Sequence, residues 1–258
     1  MKIFLILDET VYHPAFISDF MKRSPDQIVG AAIVTKMPAK SSLDHYFMKR
    51  WYCFRPVEIF KLLCLKYSMK IKDIITRKTK EGSYFSLRSL FADSGVEYFD
   101  VQYDIHRPEY LNRIKDKKPD VIISSNPLIF KKEILSIPAK CSLNRHFALL
   151  PSYKGLFAVF HAYAHGEIQT GCSIHMMDER IDTGFVLAQK AVSIPVGKSL
   201  HQIHEQCFAV AVDCLLEALE KVRRGDFSAV HSGEKPSYFS WPTPQEWRQF
   251  RQRSGKII

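Results

Sequence analysis

Short apolar runs alternate with helical patterns through the first half of the chain, and this alternation restricts the fold more than any other feature. Strands of this kind, each followed by a helical crossover, assemble into a largely parallel sheet with helices on its faces. The runs at 2–7, 28–35, 97–101, 120–125 and 140–146 read as strands. Between them 14–22, 56–68, 86–93 and 108–116 read as helices, with Ser86 and Pro108 as start signals. The expected class is α/β, with a Rossmann-like, mostly parallel sheet and flanking helices. Residues 38–85 interrupt the alternation after the second strand with extra helical sequence, read as an insertion lying over the sheet.

Beyond Pro151 the pattern becomes α+β in character. Residues 156–166 read as a short helix, and 170–178 and 185–194 as strands joined by the polar turn Asp178 to Gly184. A long amphipathic helix follows at 199–223, with Ser199 as its cap. In Thr243-Pro244-Gln245-Glu246 a capping Thr, a Pro in the first turn and a Glu three residues after the cap predict a terminal helix carrying Trp247 and Phe250.

With 258 residues, 46% hydrophobic and 25% charged, the chain has the composition of a globular protein that buries its core without disulfides. Six scattered cysteines form no CxxC pair, so neither a zinc ribbon nor a redox motif is spelled out and reduced thiols are expected. His201, His204 and Cys207 fall three apart on one helix, but Ile203 and Phe208 continue an apolar stripe there, which favours packing; no metal is expected. No window approaches the ~20 apolar residues of a membrane-spanning helix. The expectation is a soluble, cytoplasmic protein with no signal peptide, anchor or membrane partner.

The net charge of +10 is uneven: residues 49–88 hold eleven Lys and Arg against Glu58, Asp73 and Glu81. The same segment carries Val57, Phe60, Leu63, Cys64 and Tyr67 at helical spacing, so its plain reading is an amphipathic helix with a solvated basic face. Its functional reading is attraction of a polyanion: nucleotide phosphates, a polyglutamate tail or nucleic acid. Arg248, Arg251, Arg253 and Lys256 make a second basic patch in the tail.

Two familiar chemistries lack their motifs. The turn Asp8 to Pro14 offers no Gly-rich cradle for a pyrophosphate, and no Gly-x-Ser-x-Gly follows a strand. The stretch 140–155 is different. Asn144 and His146 are two apart at a strand end, so both side chains face one way. An amide donor beside an imidazole, at the carboxyl edge of a parallel sheet, suits the stabilisation of an oxyanion. Taken alone, the same pair also reads as a satisfied polar couple.

The context extends this pair into a longer pattern: Asn144-Arg145-His146, then Leu149-Leu150-Pro151-Ser152-Tyr153-Lys154-Gly155, then Thr170-Gly171, then Asp182-Thr183-Gly184. In order and spacing it resembles the folate-dependent formyltransferase family, most strongly over 119–195. The tail Tyr238 to Thr243 looks like the end of some short members. The resemblance implies the formyltransferase fold over residues 1–195, with 196–258 as a helix and tail packed on the same domain.

It also implies transfer of a formyl group from 10-formyltetrahydrofolate to a primary amine, with no metal. Asn144, His146 and Asp182 take the family's catalytic places. Asn144 donates to the formyl oxygen; His146, at least partly protonated and held by the Asp182 carboxylate, adds a second donor. Asp182, directly or through water, orients the histidine and accepts the proton shed by the amine. The segment 124–130 aligns with the pterin-binding loop, so that Leu128, Ile129 and Phe130 wall the ring, while backbone groups near Asp178, Glu179, Arg180 and Ile181 read its edge. Ordinary loop-to-helix packing accounts equally well for Leu128 to Phe130. His175 lies near the site by pattern, although a strand histidine is more often structural. Three positions depart from the family's habit: Arg145 replaces a small apolar residue, Ala148 a serine, and Arg180 a glycine.

For the acceptor, the resemblance favours the amino group of a nucleotide-linked sugar. A tRNA-directed member carries a further carboxy-terminal barrel for which this chain is too short, and the purine-pathway member has a Gly-rich phosphate loop absent here. Three other readings stay open: methionyl-tRNA formyltransferase-like activity, a hydrolase releasing formate from the same folate, and a non-catalytic basic module binding nucleic acid on the same fold. A homodimer is expected by analogy with short members.

Overall fold

The computed structural model describes residues 1–38, 43–79, 84–230 and 232–258. In chain order its first elements are β1 (Lys2–Asp8), α1 (His13–Arg23), β2 (Gln27–Lys36), α2 (Leu43–Arg50) and α3 (Pro56–Thr79). Next come α4 (Leu87–Asp93), β3 (Tyr98–Gln102), α5 (Pro108–Asp116), β4 (Val121–Ser125), α6 (Lys132–Leu135) and β5 (Cys141–His146). The remainder is β6 (Lys154–Gly155), α7 (Ala158–His165), β7 (Gln169–Met176), β8 (Val186–Ser193), α8 (Leu200–Arg224), β9 (Tyr238–Phe239) and α9 (Pro244–Gln252). The chain forms two compact units, residues 1–42 with 62–144 and residues 43–61 with 145–258.

In the first unit the strands run in the order β3-β2-β1-β4-β5, and each adjacent pair is parallel. The central position of β1 explains its unbroken apolar run: Ile3 to Leu7 are all buried, as a strand covered on both faces requires. The edge strand β3 alternates instead, with Phe99 and Val101 inward and Asp100 outward. Ser86 caps α4 by accepting from the Ser89 N–H, and Pro108 opens α5, as the sequence indicates. Behind β1, the buried His13 joins the Asp8 carbonyl (2.7 Å) to Ser125 Oγ (2.7 Å), tying α1 to the ends of β1 and β4.

The second unit is built on the antiparallel hairpin β7–β8, against which α8 packs. Both predicted caps form: Ser199 makes a capping box with Gln202, and Thr243 one with Glu246. The core joins Phe160, Tyr163, Ile203, Cys207, Trp247 and Phe250. Glu58, at the start of α3, is buried beneath Arg251, whose two terminal nitrogens donate to its two oxygens at 2.7 and 2.6 Å. Burial alone raises the Glu58 carboxyl pKa, but this fork and the N–H groups of Ile257 and Arg55 outweigh it and hold the pKa below the usual value.

The insertion after the second strand is helical as expected, although 39–42 and 80–83 lie outside the described residues. The helix expected over 56–68 runs on to Thr79, because no Gly or Pro interrupts residues 69–79. Its apolar stripe is turned outward: Phe60 is 66% exposed and Tyr67 60%.

Candidate functional site

Strand β5 carries Asn144 and His146 on one side and Arg145 on the other, because side chains alternate along a strand. Parallel pairing sets Asn144 opposite Ser124 at the end of β4. The guanidinium of Arg145 lies 3.9 Å from the Phe147 ring centroid and 4.4 Å from that of Phe208, a stacked position against α8. This departure from the family habit therefore points away from the side that bears Asn144 and His146.

Two turns bring backbone and carboxylate to His146. After the cis Leu150–Pro151 bond, Tyr153 adopts a left-handed conformation with φ 54°. Its carbonyl lies 2.8 Å from His146 Nε2, and because a carbonyl only accepts, that nitrogen carries the proton. Gly155, two residues on, has φ 91° and donates its N–H to Asp182 Oδ2 at 2.8 Å. A Cβ at Gly155 would sit 2.1 Å from the Phe239 carbonyl oxygen, so only glycine allows β6 to lie against β9. The tail also grips this turn through Ser237, whose Oγ accepts from the Tyr153 N–H at 2.8 Å.

Asp182 sits at the tip of the loop between β7 and β8 with φ 50°. Its Oδ2 lies 3.5 Å from His146 Nδ1 and its Oδ1 lies 3.4 Å from His175 Nε2, so one carboxylate serves two imidazoles. Burial pushes the Asp182 pKa up, but His146, His175 and the Gly155 N–H together outweigh it and hold the group ionised. For His146 burial wins: its pKa falls below that of an ordinary imidazole despite the pull of Asp182. The neutral form is thus favoured, in contrast to the partly protonated ring expected from the resemblance.

The loop bearing Asp182 returns to β8 through Gly184, where a Cβ would lie 1.8 Å from the Met176 carbonyl oxygen. Gly184→Ala is therefore expected to lower stability by roughly 2 kcal/mol or more, read as a lower urea midpoint with unchanged m.

The two loops assigned to the pterin sit in different units. In the first, Asn126 accepts the Leu128 N–H at 2.9 Å and donates to the Ile6 carbonyl at 3.0 Å, which fixes the turn. Leu128 is half-buried, Ile129 is exposed and Phe130 is buried. In the second, Asp178 accepts from the Arg180 N–H and from Thr183 Oγ1, each at 2.7 Å. Glu179, Arg180 and Ile181 are exposed, and the Arg180 guanidinium turns back to Asp178 at 3.5 Å. Ala148 is buried and its carbonyl accepts from Ser173 Oγ.

On α8 the three residues considered as a metal face are otherwise engaged. His204 Nδ1 donates to the Leu200 carbonyl at 2.8 Å, His201 lies 3.5 Å from Glu205, and the Cys207 thiol is buried, its pKa pushed up to about 12. Among the described residues no group of three or more His, Cys, Asp or Glu is placed to hold a metal. Burial lowers the His204 pKa to about 4, with Arg145 adding to the effect. Its contribution to stability is full above about pH 6.5, the value for an unfolded histidine, and is lost as pH falls toward the folded value. Between pH 7 and 5 the loss is about 2 kcal/mol. Urea midpoints measured across that range check this, and His204→Gln is expected to flatten the slope.

The fold is that of a Rossmann-like α/β protein, and the chemistry gathered at the β5 end is a histidine paired with an ionised carboxylate. Over residues 88–219, more than half of its length, the chain matches the model of the formyl transferase family. It belongs to that family.

Among curated relatives it is 28% identical over 144 residues to the methionyl-tRNA formyltransferase of Caldanaerobacter subterraneus subsp. tengcongensis. That alignment covers 55% of this chain and 47% of the relative, so the chain spans about half the relative's length. Glycinamide ribonucleotide transformylase 1 from Symbiobacterium toebii superposes with a TM-score of 0.59 at 16% identity, covering 87% of this chain and 88% of that one. A sugar 3N-formyl transferase solved in the presence of dTDP and 5-N-formyl-THF superposes with a TM-score of 0.57 at 14% identity, covering 93% and 69%. At these identities the structural likeness concerns the fold, the formyltransferase fold expected from the sequence.

Of the residues singled out in the sequence, His146 and Asp182 come together directly, and His175 joins them through the same carboxylate. The Tyr153 carbonyl, the Gly155 N–H and the tail strand β9 were not legible as site components. Main-chain groups leave no mark in side-chain patterns, and β9 is two residues long.

Proposed function

We infer that the chain transfers a formyl group from 10-formyltetrahydrofolate to a primary amine, best the amino group of a nucleotide-linked sugar. The observation that carries this reading is the His146–Asp182 pair, 3.5 Å apart, with the carboxylate held ionised and the imidazole favoured neutral. Such a pair is ready to accept a proton, which an attacking amine must lose. Support for the sugar acceptor comes from the relative solved with dTDP and 5-N-formyl-THF.

The donor supplies an electrophilic formyl carbon: the amine nitrogen bonds to it, the bond to the folate nitrogen breaks, and that nitrogen keeps the electron pair and takes up a proton. Asn144 donates a hydrogen bond where the formyl oxygen gains negative charge. The amine's proton passes to the His146–Asp182 pair. The imidazolium so formed keeps its Nε2–H on the Tyr153 carbonyl and turns Nδ1–H toward Asp182. His175 shares that carboxylate and fixes its orientation. For the donor's ring the accessible side chains are Leu128 and Ile129, with Phe130 anchoring the loop in the core, and the backbone of Asp178, Glu179, Arg180 and Ile181 would meet its edge.

A time course of tetrahydrofolate release from 10-formyltetrahydrofolate, with and without a pool of nucleotide-linked amino sugars, tests the reading. Release that needs the pool and disappears in Asn144→Ala supports it. Equal release without any amine makes the enzyme a hydrolase, and no release together with no folate binding removes the enzyme reading.

A further inference from the structure

Helix α3 is 24 residues long and exposes a row of large apolar side chains: Val57, Phe60, Leu63, Tyr67, Ile71 and Ile74, each between 48% and 66% exposed. At 100° per residue these six fall within an arc of about 120° that runs the length of the helix. An ordinary surface helix turns such an arc inward; this one turns it out.

The borders of the arc are basic on both sides. Lys61 and Lys72 flank one edge and Lys66 and Lys70 the other, each exposed. The helix contains six Lys and Arg and two acids, and both acids are engaged within the fold: Glu58 beneath Arg251, and Asp73 accepting from Ser86 and Ser89. The exposed surface is therefore apolar and cationic, with no carboxylate of the helix offered to a partner. Two copies of this surface packed together would bring lysine borders against lysine borders. A lipid surface with anionic headgroups meets both requirements: apolar side chains enter the acyl boundary, and the flanking lysines extend their stems and leave their ammonium groups among the headgroups.

We propose that α3 is a docking surface for an anionic bilayer, on which the protein lies peripherally. No helix among the described residues is long and apolar enough to cross a membrane, so the attachment is to the surface. This departs from the sequence-based expectation of a protein with no membrane partner, because the sequence shows an amphipathic helix without showing that the fold leaves its apolar side uncovered.

The experiment is co-sedimentation of the full chain with vesicles of phosphatidylcholine plus phosphatidylglycerol, and with vesicles of phosphatidylcholine alone, at low and high salt. The chain is expected to pellet with the anionic vesicles, less so at high salt, and not with the neutral ones. Phe60→Ser with Ile71→Ser, and separately Lys66→Glu with Lys70→Glu, are each expected to weaken binding roughly tenfold or more at an unchanged melting temperature. Failure of the unmodified chain to pellet with anionic vesicles overturns the proposal. So does a dimer in light scattering that Phe60→Ser with Ile71→Ser converts to monomer, since a second copy then covers the arc. Salt-sensitive RNA binding lost in the Lys66→Glu pair, without vesicle binding, assigns the surface to nucleic acid instead.

Discussion

Asn144→Ala is expected to lower kcat for formyl transfer by about 10²–10³-fold, the usual effect of removing one preorganised oxyanion donor. Asn144 is the last residue of β5 paired with β4, opposite Ser124, so its backbone is held by the sheet before substrate arrives. Alanine removes the donor and leaves that pairing intact. The loss should therefore appear in kcat, with KM for the folate donor and the melting temperature little changed. Single-turnover rates with donor and acceptor both saturating separate these quantities. A kcat within fivefold of the unmodified enzyme would assign oxyanion stabilisation to another group.

Asp182→Asn is expected to cost more, about 10³–10⁴-fold, because it removes the charge that stabilises the imidazolium and leaves one acceptor oxygen where the carboxylate has two, Oδ2 at the Gly155 N–H and Oδ1 beside His175. An amide nitrogen at the Oδ2 position would set one donor against another, and a buried donor left unpaired costs stability as well. The pH profile carries the sharper test. Asp182 favours the charged form of His146 against burial, so its neutralisation lowers the His146 pKa further. If the neutral ring is the proton acceptor, activity is lost on the acid side, and in Asp182→Asn the residual activity retains its plateau to lower pH. A shift of the alkaline side instead would mean that His146 acts as a proton donor.

Much of the fold was readable because its signals are local. A central parallel strand such as β1 announces itself as an apolar run, and α4, α8 and α9 announce their starts through Ser86, Ser199 and Thr243. The spacing from Asn144 to Gly184 pointed to the proposed site for a related reason: Asn144 and His146 share a strand face by the two-residue period, and the linked motifs keep their order along the chain. The distances among His146, Asp182 and His175 were not readable. They depend on two left-handed residues, Tyr153 and Asp182, whose conformations follow from surrounding contacts rather than from residue type.

The sequence by itself determined the alternation that makes the sheet parallel, the caps that start the helices, and the residues whose chemistry suits formyl transfer. Each depends on neighbours within a turn or a strand's length. Tertiary structure alone decided that the tail strand β9 would brace Gly155, that Arg145 would stack against α8, that burial would favour a neutral His146, and that α3 would present its apolar side outward. These outcomes depend on groups brought together from distant parts of the chain, where burial and electrostatic fields are sums over neighbours that local periodicity does not encode.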